Sequence, residues 1–159
     1  MWYMTKKSID VTVESAAPPA AVYALLRAGD TWPTWSPITS FELERPADDE
    51  PEGVGAIRIF RTVQPTRNVV TSRERIVELV PDRRLSYVLL SGLPLRDYRA
   101  DVDLTPSGSG ATIHWHSTFN PAIPGTGWFY RAVLGAFIRR CARGLAAHAA
   151  TAQDRSTRP

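Results

Sequence analysis

Cysteine is nearly missing from this chain. Cys141 stands alone, so an internal disulfide is excluded, and with it any Cys-x-x-Cys redox pair. No apolar run approaches the roughly 18 residues of a membrane span. The opening Met1-Trp2-Tyr3-Met4-Thr5-Lys6-Lys7 shows no apolar stretch leading to a small-residue cleavage site. We therefore expect a cytoplasmic protein without stable membrane insertion. Lysine is confined to Lys6 and Lys7. The remaining basic charge is arginine scattered among Asp and Glu, so the net charge of +3 forms no block suited to a phosphate backbone, and no nucleic-acid partner is expected. Glycine-rich phosphate loops and nucleophile elbows are missing too. The three histidines do not combine with a carboxylate at helical spacing into a mononuclear iron site. No cofactor is assigned.

What is present suits one globular domain. The 159 residues are 43% hydrophobic and 22% charged, ordinary for a fold of that size. Residues 8–14 read as a first strand, and Pro18-Pro19 breaks it, since proline cannot continue a ladder but can open a helix. Val22, Leu25 and Leu26 then share one face of a short helix over 20–27, ended by Gly29. Residues 30–37 read as a second short helix or turn, with Asp30 as N-cap and Pro37 as stop. From there the pattern is that of strands, over 38–45, 54–63, 68–80, 85–92, 96–105 and 111–120. Short connections such as Pro81-Asp82-Arg83-Arg84 favour antiparallel hairpins.

A long final helix follows, with Thr126 as its N-cap. Tyr130, Val133, Leu134, Phe137, Ile138, Cys141, Leu145 and His148 fall on one face of it. The fold class is thus α+β: an antiparallel sheet of seven strands, two short helices after the first strand, and a helix that must bury its stripe across the concave face. One domain spans 1–159, with its core over about 8–150 and a polar, frayed tail over 154–159.

These elements carry a resemblance. Trp32-Pro33-Thr34-Trp35-Ser36-Pro37, Gly53-Val54-Gly55, and Glu78-Leu79-Val80-Pro81 with Arg84-Leu85-Ser86-Tyr87 across one hairpin resemble the START-like, or SRPBCC, superfamily. More narrowly, the chain is similar to its polyketide cyclase/dehydrase and lipid-transport branch. The resemblance implies a helix-grip fold, a seven-stranded sheet curved around the C-terminal helix with a ligand tunnel between them. Such families hold lipid and sterol carriers, polyketide aromatases and cyclases, co-chaperone-like domains and oxygenase catalytic domains, so fold analogy does not choose among functions.

Strand alternation names candidate site residues. Tyr98, Ala100, Val102 and Leu104 share a face, as do Ile113, Trp115, Ser117 and Phe119. With Trp115 inward, His114 and His116 point outward, because a one-residue slip reverses every side chain. Two such histidines also want a third metal ligand, and the sequence offers no obvious one, so no metal is assigned. Ile76 draws Glu74 inward, where Arg58, in line with Phe60, is a possible partner. The other reading puts Glu74 on the outer face in an ordinary ion pair. Tyr87 and Tyr98 suit either ligand contact or plain core packing. Trp35 is placed at one end of the tunnel and Trp32 in the core. Gly144 interrupts the apolar stripe of the long helix, either leaving room for a ligand beside Phe137 and Cys141 or allowing close approach to the sheet.

The expected function is binding of a small hydrophobic molecule, such as a lipid, isoprenoid, sterol-like compound or polyketide. Its contacts would come from Trp35, Arg58, Phe60, Glu74, Tyr87, Tyr98, Trp115, Phe119, Phe137 and Cys141. Two alternatives stand beside it. One is a polyketide cyclase or aromatase using the same cavity. The other is a protein-interaction module like the co-chaperone domains.

Overall fold

The computed structural model describes residues 6–157. Strand β1 (Lys7–Ser15) leads into α1 (Pro19–Arg27), a single 3-10 turn (Gly29–Thr31) and the short α2 (Trp32–Trp35). Strands β2 (Ser40–Arg45), β3 (Ile57–Val63), β4 (Val69–Val80), β5 (Arg84–Ser91), β6 (Leu95–Ser107) and β7 (Gly110–Pro121) follow, and α3 (Gly127–Thr157) ends the chain. The seven strands form one antiparallel sheet in the order β1-β7-β6-β5-β4-β3-β2. Consecutive hairpins build β2 to β7, and β1 closes the free side of β7. This is the helix-grip fold.

Local chemistry explains the element boundaries. Pro19 opens α1, where its fixed φ is already helical and its missing N–H costs nothing. At the other end of α1 the Leu26 carbonyl accepts hydrogen bonds from Trp32 Nε1 and from Arg58 Nη1, both at 3.1 Å. These satisfy a C-terminal carbonyl that helix geometry leaves free. Asp30 does not cap α2. Thr31 holds the N-cap position without a side-chain cap bond. Its hydroxyl instead donates to the Leu25 and Ala28 carbonyls and accepts from Trp35 Nε1. Gly92, at the β5–β6 turn, has φ +119, and a Cβ there would lie 2.1 Å from the Thr71 carbonyl oxygen. Only glycine meets both demands.

The core lies between the sheet and α3. Ile113, Trp115 and Phe119 are at most 1% exposed, with Ala100, Val102 and Leu104 beside them. Each large side chain so buried contributes about 1.5–3 kcal/mol, which fixes the register of β6 and β7. The apolar stripe of α3 is buried over its second half, at Ile138, Cys141, Ala142, Leu145, Ala146 and Ala149. Val133, expected on that stripe, is instead 49% exposed, and Trp128 and Phe129 are exposed with it. The first turns of α3 still pack on the core through the half-buried Tyr130, Leu134 and Phe137, and Val133 falls at the edge of that stripe. Helical structure continues to Thr157, past the point where polar composition suggested fraying; residues 158–159 lie outside the described ones.

Candidate ligand-binding site

Gly144 decides how α3 meets the rest of the fold. A Cβ at this position would lie 1.8 Å from the Trp35 carbonyl oxygen, so the glycine serves close approach to α2 rather than leaving a gap for a ligand. Room exists instead about one to three turns earlier, where a cavity of about 60 Å³ separates α3 from the sheet. Phe60, Glu74, Tyr87, Tyr98, Trp115, Phe137 and Cys141 line it, seven of the side chains that alternation and helical spacing had nominated.

Three nominated residues are not on the wall. Trp35 is buried, with its indole against that of Trp32 at 4.7 Å between centroids. It is Trp32 that reaches the cavity, reversing the roles expected of the pair. Phe119 is fully buried and packs against Tyr98, with ring centroids 6.2 Å apart. Arg58 lies behind the aromatic wall, its guanidinium 5.2 Å from the Trp32 ring and 5.1 Å from that of Phe60.

Other lining residues were not among the nominated contacts. Thr62, Ser72 and Leu89 line the cavity two residues from Phe60, Glu74 and Tyr87, on the strand faces to which period-two alternation assigns them. Ile38 and Leu93 also line it from loops, where no periodicity marks a direction.

The polar chemistry centres on Glu74. It stands directly opposite Arg58 in the β3–β4 register and is only 8% exposed. Burial drives its carboxyl up to about 7, against the opposing pull of the Arg58 charge. Arg58 is fully buried and committed elsewhere: besides the Leu26 carbonyl, its Nη1 meets Glu52 Oε1 at 3.4 Å. Its Nε and Nη2 have no hydrogen-bond partner. Desolvation lowers the Arg58 pKa, while Glu74 and Glu52 hold it up.

Around the carboxyl stand groups that keep their protons. The Tyr87 hydroxyl accepts from Trp115 Nε1 at 3.3 Å and is pushed well upward by burial. Burial raises Tyr98 to about 12, and the Cys141 thiol is driven up by the same cause. At neutral pH the cavity therefore offers phenolic hydroxyls, a thiol, and one carboxyl poised between its two protonation states.

On the opposite face of the sheet, His114 and His116 point away from α3, as the inward Trp115 requires. Their side chains are 39% and 31% exposed. Contrary to the sequence reading, a third potential ligand stands beside them. Asp103 is the register partner of His114 and lies 2.7 Å from His116 Nε2.

The family described as polyketide cyclase/dehydrase and lipid transport matches residues 6–153, nearly the whole chain. The chain belongs to that family. Solved structures agree on the fold of this family member. A START superfamily protein from Mycobacterium smegmatis superposes with a TM-score of 0.76 at 14% identity, covering 89% of this chain and 96% of that one. TTHA0849 from Thermus thermophilus gives 0.73 at 18%, covering 92% and 99%. The di-domain ARO/CYC StfQ of the steffimycin biosynthetic pathway gives 0.77 at 17%, covering 95% of this chain and 52% of the two-domain protein. Among curated proteins, none has a matching sequence. Among the described residues no helix is long and apolar enough to cross a membrane.

Proposed function

We propose that this polyketide cyclase/dehydrase and lipid-transport family member binds a small, mainly apolar molecule between its sheet and α3, with the polar end of that molecule directed at Glu74. The observation that carries this reading is a single poised carboxyl in a cavity walled mainly by aromatic and aliphatic side chains, with the hydroxyls of Thr62 and Ser72 and the Cys141 thiol among them. That composition, apolar walls with a few placed polar groups, is what orients a ligand by one end. A carbonyl or hydroxyl fits best: a protonated Glu74 donates to it, and the Tyr98 hydroxyl stands on the same wall.

Size refines the proposal. Ligand pockets commonly span about 300–1,000 Å³, and 60 Å³ holds only a few waters. Uptake of a sterol-sized or long-chain molecule therefore requires the cavity to widen, and its half-buried wall residues Leu93 of the β5–β6 turn and Leu134 and Phe137 of α3 are the ones with room to move. Trp32 and Trp115 both line the cavity, so intrinsic fluorescence titrated with fatty acids, isoprenoids and sterols reports entry directly, with native mass spectrometry giving stoichiometry. Saturable quenching with one ligand bound is expected. An interior that takes up no hydrophobic probe overturns the proposal.

A second reading has its own observation. A carboxyl near 7 at neutral pH both takes and returns a proton, as enolisation and dehydration of a poly-β-keto chain require. Here Glu74 would move the proton while Tyr98 donates to the developing enolate. Turnover of a poly-β-keto substrate that Glu74→Gln abolishes and Tyr98→Phe slows would support a cyclase. An unchanged product spectrum with and without the protein rules it out.

A further inference from the structure

The side of the sheet facing away from α3 carries a second constellation, unrelated to the cavity. Side chains at 114 and 116 share a face because they are two apart on β7. Their imidazoles stack, with centroids 4.3 Å apart and planes inclined by 24°. β6 runs antiparallel beside them and sets Asp103 opposite His114, while β1 on the other side sets Asp10 opposite His116. Three adjacent strands thus deliver two imidazoles and two carboxylates to one patch. One donor atom each from Asp103, His114 and His116 lies within 4.8 Å of the others.

We propose that His114, His116 and Asp103 bind one divalent transition-metal ion on this outer face, with water completing its coordination. The geometry is close to what the ion needs. Bonds of about 2.0–2.1 Å in a tetrahedral site place donors roughly 3.3 Å apart, so His116 Nε2 and Asp103 Oδ2, hydrogen-bonded at 2.7 Å, need only part slightly to take the ion between them. The partly exposed imidazoles make the adjustment by side-chain rotation, with no movement of the sheet. Two imidazoles and a carboxylate without a thiolate suit Zn²⁺, Co²⁺, Ni²⁺ or Cu²⁺ and disfavour Mg²⁺ and Ca²⁺, which take oxygen alone.

The surroundings have the form of a supporting shell. Arg84 grips Asp103 through Nε and Nη2, fixing the carboxylate with Oδ2 turned to His116. Asp10 Oδ1 lies 2.9 Å from His114 Nε2, where it can hold one ring nitrogen and leave the other for the ion. Carboxylates that orient a ligating imidazole in this way change metal affinity by about 10–100-fold. Bound here, the ion ties β7 to β6 from outside, on the strands whose inner faces carry Trp115 and Tyr98.

Isothermal titration of the purified chain with ZnCl₂, and separately with NiCl₂, tests the assignment. One saturable equivalent is expected. His114→Gln and His116→Gln should each weaken binding at least about 100-fold and Asp10→Asn about 10-fold, while His148→Gln leaves it unchanged. Metal at 100 times its dissociation constant should raise the Tm of the wild type by about 5–10 °C, and that rise should vanish in the His114→Gln/His116→Gln variant. Both histidines are on the surface, so the metal-free variants are expected to melt with the wild type. A wild type with no saturable equivalent, or a double variant that binds as tightly, overturns the proposal.

Discussion

Replacing Glu74 by Gln should stabilise the protein above neutral pH and leave it nearly unchanged in acid. Glu74 has a folded pKa of about 7 against an ordinary value of 4.5, so the folded state favours the neutral carboxyl. Below 4.5 both states carry the proton and nothing is lost. Between 4.5 and 7 unfolding releases a proton that folding retains, and stability falls by about 1.4 kcal/mol per pH unit. Above 7 the full difference is expressed, about 3 kcal/mol. Glutamine keeps the shape and removes the charge, so the variant escapes this loss. At roughly 2–4 °C per kcal/mol for a chain of this size, the Tm advantage of Glu74→Gln should grow from near zero at pH 4.5 to about 6–12 °C at pH 8. Differential scanning calorimetry of both proteins across that range measures it. Tm curves that stay parallel from pH 4.5 to 8 would refute the burial argument and, with it, the poised carboxyl.

Further expectations follow from the packing. Gly144→Ala should lower stability by about 2 kcal/mol despite the better helix propensity of Ala, because its Cβ would meet the Trp35 carbonyl; Gly135→Ala, whose Cβ would meet nothing nearer than Ile9 Cγ2 at 4.0 Å, should be neutral or stabilising, and paired chemical denaturation separates the two. Arg58→Met removes the charge that holds the Glu74 carboxyl down, so carboxyl-carbon NMR should place the Glu74 midpoint above 7; an unmoved midpoint contradicts the coupling. Cys141, buried with its thiol pKa raised by desolvation, should resist a disulfide-exchange reagent at pH 8 in the native protein and react at once in denaturant; fast native labelling would mean that the cavity opens freely.

How much of this was legible in the sequence follows from where each signal lives. Alternation along β6 and β7 is a local signal with a large energy behind it, since any other register would put Trp115 and Phe119 in water. The outward histidines came with it. Period two likewise directed Glu74 inward through Ile76, although the choice between burial and a surface ion pair was open until the β3–β4 register was known. The long helix was visible from its stripe, but the width of that stripe was not, and Val133 is exposed because it lies at the edge of the face that Tyr130, Leu134 and Phe137 turn to the core. Trp32 and Trp35 exchanged roles for a related reason: both lie in a four-residue helix too short to show an amphipathic period.

The order of the elements and the inner and outer faces of the strands were local matters, set by residues close together in the chain, and one cysteine was enough to exclude thiol pairs. The rest came only with packing. It set Gly144 against Trp35, turned Arg58 behind an aromatic wall toward the end of α1, and left Glu74 facing a small cavity where desolvation outweighs its partner's attraction. On the other face it brought Asp103 to His116 and Asp10 to His114. These depend on which strand lies beside which and on how closely helix and sheet approach, quantities fixed by the packing of the whole chain and carried by no local pattern.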